Sequence, residues 1–268
     1  MSRLQRISII IPAYNEERYL ARCLDAIAVQ TMRPWEVLVV DNNSSDATAA
    51  IARQYPFVKL LREKRQGRAY AQRTGFSAAM GTVLARIDAD AVLPPDWTAH
   101  VGGYFDGPGA MQTAWTSGAL FYNVRFPRLV SRVYGWIGFG VNKFLAGHPS
   151  LWGSSMAIPA ELWRAVSSNV CLRSDIHEDL DLSIHLYTHG YAIVPDPHTR
   201  VGVELRPAYA NPRTVWRYLQ LWPRTLRIHR KWTWILCWPI NIAVFIGMPF
   251  FGISERIARL FGRARLGG

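Results

Sequence analysis

The sequence predicts an α/β fold, a mixed and mainly parallel sheet flanked by helices, followed by an apolar helical segment at the C-terminal end. Three observations predict it. Short β-branched runs alternate with segments of helical period over the first ninety residues, joined by short loops. The runs are apolar on both faces, as strands covered by helices must be. The chain of 268 residues is half apolar and 19% charged, enough to bury a large core and too hydrophobic for a disordered chain.

Ile7–Ile11 reads as a buried strand and Glu16–Gln30, with Leu20, Leu24 and Ile27 in register, as a helix. Glu36–Val40 is a second strand. Ser45–Tyr55 is an alanine-rich helix with Ser44 or Ser45 as its N-cap. Val58–Leu61, Tyr70–Met80 and Thr82–Ile87 continue as strand, helix and strand. Gly102–Gly109 reads as a turn-rich stretch and Gln112–Phe121 as a strand. Arg128–Leu145 is an amphipathic helix rich in aromatics, either a core helix or one that faces lipid. A loop from Gly147 leads to a strand ending at Ile158. Glu178–His189 is a short helix, Ala192–Pro195 and Arg200–Glu204 are short strands, and Arg213–Arg230 is one basic helix. These elements divide the chain into a domain over 1–230, its nucleotide-type lobe ending near residue 90, and a C-terminal segment over 231–268.

Lys and Arg number 31 against 19 Asp and Glu, a formal charge of +12, and there are eleven Trp. Basic and aromatic surplus together point to nucleic acid or to an anionic membrane surface. Cys23, Cys171 and Cys237 are too few and too scattered for a disulfide scaffold and read as reduced, buried residues of a cytoplasmic protein. The run after the basic N-terminus stops at Pro12, too short for a signal-peptide core. Trp232–Ser254 carries no charge over about 23 positions, roughly a bilayer's thickness. It reads as a buried hairpin or, preferred here, as a segment that spans the membrane or lies in its plane. The basic Arg213–Lys231 stretch beside it suits anionic lipid, which places the protein at the cytoplasmic face of the cell membrane.

In open α/β sheets ligands bind beyond the carboxyl ends of the strands, and four polar clusters fall there. They are Pro12-Ala13-Tyr14-Asn15-Glu16, Asp41-Asn42-Asn43-Ser44-Ser45-Asp46, Arg65-Gln66-Gly67-Arg68 and Asp88-Ala89-Asp90. Asn15 and Ser44 read as helix caps, and Asp41 and Gly67 as turn residues. Asp88 and Asp90 repel one another unless a cation lies beside them. A hard divalent ion with oxygen ligands would serve, neutralising charge on a leaving diphosphate. Glu178-Asp179-Leu180-Asp181 opens a helix, where the dipole favours carboxylates. Asp179, held ionised there, suits a general base, with Glu178 and Asp181 holding loop and helix in place. His177 reads as a neighbour that tunes the site. His148, His185, His189 and His198 show no metal-ligand spacing.

In this order, Ile9–Glu16, Val39–Asp46, Ile87–Asp90, Trp152–Ser155 and Glu178–Leu182 resemble glycosyltransferase family 2 over roughly residues 5–190. The resemblance implies a GT-A fold of Rossmann-like build. It implies inverting transfer from a UDP- or GDP-linked sugar, usually with Mg²⁺ or Mn²⁺. It implies that Pro12, Ala13, Tyr14 and Glu16 line the nucleotide pocket, joined by Asn43 and Gly67, and that Asp41 accepts a hydrogen bond from the base. Asp88 would lie near ribose or sugar, and Asp90 would ligate the metal. Gly153 and Ser154 would lie near donor sugar and acceptor, beside Glu178, and Asp179 would deprotonate the acceptor hydroxyl. Ala71-Gln72-Arg73 departs from the family's Ala-Arg-Asn, leaving Arg68 and Arg73 as candidates to contact the diphosphate. Gln220-Leu221-Trp222-Pro223-Arg224 does not reproduce the Q-x-x-R-W motif of polymerising members, which favours single-sugar transfer to a lipid-linked or glycan acceptor. A polyprenyl-phosphate sugar synthase is the main variant.

Two other classes compete. A nucleotidyltransferase lacks its Gly-rich phosphate loop here. A basic nucleic-acid-binding module would place the carboxylate clusters in its own binding surface, so no nucleic-acid partner is expected.

Overall fold

The computed structural model describes residues 5–124, 126–204 and 211–246. Seven strands form one sheet: β1 (Ile7–Ala13), β2 (Glu36–Asp41), β3 (Val58–Arg62), β4 (Val83–Arg86), β5 (Thr113–Phe121), β6 (Met156–Pro159) and β7 (Ala192–Val203). Their order is β3-β2-β1-β4-β6-β5-β7. β1, β2, β3 and β4 run parallel, β6 is antiparallel to both β4 and β5, and β7 runs parallel to β5. The expected mixed, mainly parallel sheet is what forms, and β6 continues it from the first lobe into the second.

Helices α1 (Leu20–Ala28), α2 (Thr48–Arg53), α3 (Arg68–Ala78), α4 (Trp97–Phe105), α5 (Pro127–Ala146), α6 (Ala160–Val166), α7 (Glu178–Thr188), α8 (Pro212–Leu219) and α9 (Leu221–Ile228) flank it. Strand pleating sends alternate residues to opposite faces. Ile7, Ile9 and Ile11 pack with Leu20, Leu24 and Trp97 on one face, and Ile10, Leu38 and Val40 pack with Phe76 and Leu162 on the other.

Several sequence expectations change. Gly102–Gly109 is not all turn: α4 runs through Gly102 and Gly103, and the turn begins only after Phe105. Gly102 is tolerated because the helix lies against the core; a Cβ there would come 2.9 Å from Met32 Cε. The basic stretch 213–230 is two helices. Pro223 has no N–H for the carbonyl of Leu219, and that oxygen accepts instead from Asn241 Nδ2 at 2.8 Å. The two short strands after Tyr191 are one strand, β7. Its register on β5 jumps between Ser117 and Gly118, because residues 197–199 loop out around Asp196, whose Oδ1 accepts from the His198 and Thr199 N–H groups.

The first helix starts at Leu20 rather than Glu16, and neither Asn15 nor Ser44 caps a helix. Instead the loops after β1 and β2 brace one another. The Asn15 N–H donates to Ser44 Oγ, the Ser45 N–H donates to Asn15 Oδ1, and the Glu16 N–H donates to Thr48 Oγ1 at 2.7 Å. Asp46 Oδ1 accepts from the Thr48 N–H at the start of α2. Asn15 and Asn43 both take the left-handed backbone conformation, which Asn tolerates better than most residues.

α5 has two faces: Val130, Tyr134, Leu145 and Ala146 pack against the fold, while Leu129, Val133, Phe144 and above all Trp136, 82% accessible, face outward. Residues 232–236 form a 3₁₀ turn and 237–246 a helix; Trp232, Ile235, Ile242 and Ile246 are exposed, so this part is not a buried hairpin. Leu145 and Ala146 of α5 share an apolar cluster with Cys237, so the two outward-facing apolar surfaces are neighbours. No helix among the described residues is long and apolar enough to cross a membrane. The remainder of the apolar run, 247–254, and the basic residues beyond it lie outside the described residues.

Candidate active site

Asp88, after β4, and Glu178 and Asp179, at the start of α7, meet on a residue the sequence reading passed over. Arg86 ends β4 and is 2% accessible. Its Nη1 donates to Asp179 Oδ1 and to Gln72 Oε1, and its Nη2 donates to Asp88 Oδ1 at 3.1 Å and Glu178 Oε1 at 3.2 Å. One planar guanidinium therefore joins β4, α3 and the start of α7, a geometry that a lysine cannot reproduce. Its signal in the sequence is a lone cation inside the apolar run Val83–Ile87. It also supplies the positive charge that Asp88 was expected to require.

Asp179 is held by both oxygens. Oδ1 meets Arg86, and Oδ2 accepts the Gly153 N–H at 2.9 Å. Burial, aided by the nearby Glu178 and Asp88 carboxylates, pushes its pKa well above the ordinary carboxylate range, against the pull of Arg86. The carboxyl expected to be held ionised at the start of α7 is thus one whose burial favours the protonated form. Glu178 goes the other way. Against the cost of burial, the guanidiniums of Arg68 and Arg86 hold it below the ordinary range. Two adjacent carboxylates are driven apart in acidity, a pattern that separates acid–base roles.

Gly153 fits here because nothing larger does. A Cβ would lie 2.6 Å from Arg86 Cζ and 2.7 Å from Asp179 Oδ2. Ser154 beside it is half-buried, and Ser155 is a buried brace, accepting from Trp97 Nε1 at 3.1 Å and bonded to Ser117 Oγ.

The other expected residues divide. Pro12 and Ala13 end β1 beside Val40 and Asp41 of β2, Tyr14 is half exposed beyond them, and Glu16 is buried. Asp41 is 2% accessible, and its Oδ1 accepts the Ser44 N–H, the turn role. Asn43 donates to the Lys64 carbonyl, tying the β2 loop to the loop before α3. Gly67, at φ 142°, gives its N–H to Asn42 Oδ1 at 2.8 Å and so fixes the entry to α3. Arg68 is 3.3 Å from Glu178 Oε1, so in this arrangement its charge is paired within the site. Arg73 lines a small cavity with Cys171, Glu178 and Asp181.

Asp88 and Asp90 carry only hard oxygen donors, Asp88 with its side chain 41% accessible and Asp90 nearly buried. That donor set fits a Mg²⁺ or Mn²⁺ ion that draws its remaining ligands from water and phosphate. They do not join a group of three or more metal-binding side chains among the described residues; the group that does form is Cys171, Asp181, His185 and His229. His185, for which the sequence offers no metal-ligand spacing, is thus brought into such a group by the fold. His177 packs against Trp222, its ring 4.2 Å from that of Trp222, and burial pulls its pKa down to about 4, leaving it neutral at pH 7.

An open α/β sheet that gathers loops, carboxylates and a buried guanidinium at its carboxyl edge has the ligand crevice of an open α/β domain. The chain belongs to glycosyl transferase family 2, whose family model matches residues 8–153. It is 36% identical over 115 residues to the glycosyltransferase AglE of Haloferax volcanii, a match covering 40% of this chain and 38% of that protein. The chain thus matches well under half the length of this relative. Among solved structures, the mannosyltransferase PcManGT from Pyrobaculum calidifontis, in complex with GDP-Man and Mn²⁺, superposes with a TM-score of 0.63 at 22% identity, over 98% of this chain and 76% of that one. S. aureus TarS in complex with UDP-GlcNAc gives 0.58 at 16% identity, over 80% and 65%. These two likenesses establish the shared fold.

Proposed function

We propose that the protein is an inverting glycosyltransferase that moves one sugar from a UDP- or GDP-linked donor to a lipid-linked or cell-envelope acceptor at the cytoplasmic face of the membrane. The observation that carries this reading is the Asp179 carboxylate, fixed between Arg86 and the Gly153 N–H with an acidity moved toward neutrality. A base of that kind takes a proton from a hydroxyl efficiently near pH 7. Each carboxylate oxygen has a lone pair beyond the bond it already accepts, so Asp179 takes the acceptor proton without releasing its anchors. Inversion needs only one such base, on the face opposite the leaving group. Arg68 and Arg86 keep Glu178 ionised, so a proton gained by Asp179 is not contested by its neighbour.

Asp88 and Asp90 would hold the divalent ion, which supplies charge neutralisation for the leaving diphosphate. The braced loops after β1 and β2, with Pro12, Ala13, Tyr14 and Glu16, offer the nucleotide a fixed rim. The outward apolar faces of α5 and 232–246, next to Arg213, Arg217, Arg224, Arg227 and Lys231, suit an anionic bilayer that presents the acceptor.

The test is thermal shift with UDP-sugars and GDP-mannose, with and without Mn²⁺, followed by release of nucleoside diphosphate. One donor is expected to stabilise the protein in a Mn²⁺-dependent way. Asp90→Ala is expected to lose that shift. Asp179→Asn is expected to keep it while turnover falls about 10²–10⁴-fold. Normal transfer by Asp179→Asn would remove Asp179 as the base.

A further inference from the structure

We propose that Cys171, Asp181, His185 and His229 form a second metal centre, a zinc site that ties the C-terminal helices to the helix bearing Asp179. The four side chains come from three separate segments: the loop after α6, the helix α7, and the C-terminal end of α9. One ligand atom from each, a sulfur, a carboxylate oxygen and two imidazole nitrogens, lies within 4.8 Å of all the others. Four-coordinate zinc with bonds of about 2.0–2.3 Å sets neighbouring ligand atoms roughly 3.3–3.8 Å apart, so the widest pairs need to close by about 1.5 Å at most and the His229–Asp181 pair, at 2.7 Å, to open slightly.

Local geometry supports the set. Asp181 and His185 stand four residues apart on α7, hence on one face of the helix. His229 Nε2 lies 2.7 Å from Asp181 Oδ1, and the rings of His185 and His229 meet edge to face at 4.9 Å. His185 Nε2 is buried without a hydrogen bond; its distance to Asp181 Oδ1 is 3.6 Å, beyond hydrogen-bond range. A buried polar atom without a partner costs stability, and a cation among these four groups would give it one. Cys171 is a free thiol.

The donor chemistry selects the ion. Thiolate and imidazole favour borderline-soft zinc over Mg²⁺ or Mn²⁺, which take oxygen. Binding releases the Cys171 proton to solvent, while both imidazoles coordinate as neutral rings. Zinc with one thiolate and one carboxylate is then a neutral unit, suited to a largely buried position. Its place also has a consequence for the site described above. Asp181 follows Asp179 by two residues, and the Asp181 Oδ2 bond to the Cys171 N–H already pins the loop before α7. The ion would fix the first turn of α7 from the side away from Arg86.

Metal-free protein titrated with Co²⁺ as the probe tests this without any sugar donor. The expected result is the intense visible absorption of four-coordinate cobalt with a thiolate-to-cobalt charge-transfer band, both erased by added zinc, together with a zinc-dependent rise in Tm. Protein purified from zinc-containing medium is expected to retain one zinc per chain by elemental analysis. Cys171→Ser, a near-isosteric change at a half-buried position, is expected to lose the charge-transfer band, and His229→Ala to lose retained zinc. Asp90→Ala is expected to keep both, which separates this centre from the donor site. A weak, six-coordinate cobalt spectrum in the intact protein would overturn the proposal. So would bands that persist in Cys171→Ser; Asp181 and His229 would then be an ordinary helix-to-helix hydrogen bond.

Discussion

Replacing Gly153 by alanine adds one methyl group where two charged side chains meet. The new Cβ would sit 2.6 Å from Arg86 Cζ and Nη2 and 2.7 Å from Asp179 Oδ2, whereas ordinary contact begins at 3.4 Å. Arg86 or the Gly153 backbone must therefore retreat by about 0.8 Å. Arg86 is held by Gln72, Asp88, Glu178 and Asp179, so it cannot move alone. The clash belongs with overpacking, which costs roughly 1–3 kcal/mol, a fall in Tm of roughly 2–12 °C for a chain of this size. A base misplaced by close to 1 Å loses on the order of 10²-fold in rate. Turnover is read as nucleoside diphosphate released, and folding by thermal denaturation. Gly103→Ala is the control, because a Cβ there meets nothing within 4 Å. It is expected to stabilise α4 by about 0.5–1 kcal/mol. If Gly153→Ala keeps its turnover within about twofold and its Tm, then neither the close packing nor its link to Asp179 is real.

Arg86→Met is expected to destabilise the fold by about 3–5 kcal/mol, since it strands buried carboxylates without their cation; urea denaturation measures it, and a loss below 1 kcal/mol would mean that they have another partner. Turnover is expected to rise with pH as Asp179 loses its proton, with a midpoint above the ordinary carboxylate range; a midpoint near 4 would contradict its burial. Stability carries opposite signs at the two neighbours. The raised Asp179 disfavours folding as pH rises through its folded value. The lowered Glu178 adds stability above its unfolded value, which is lost as pH falls through the folded one. Trp136→Glu is expected to weaken flotation with anionic vesicles and leave donor binding intact; unchanged flotation would exclude α5 from the membrane contact.

What the sequence determined by itself was whatever depends on local period and punctuation. Buried β-branched runs, helical spacing and Pro or Gly at element ends fixed nearly every strand and helix of the first ninety residues. The ordered polar clusters at the strand ends identified the family. Tertiary structure decided what depends on partners distant in the chain. Arg86 becomes the centre of the site only because α7, ninety residues on, brings Glu178 and Asp179 onto its guanidinium, and a lone charge in a strand gives no sign of that. The Asp179 pKa rises because desolvation is set by all the elements that cover it, not by its place on α7 alone. The stretch 213–230 is split because Pro223 frees the Leu219 carbonyl, to which Asn241 Nδ2 donates. Of Cys171, Asp181, His185 and His229, only Asp181 and His185 are paired by spacing along the chain. The four meet because α7 and α9 pack against each other, and packing follows shape and apolar burial across the whole fold rather than any local pattern.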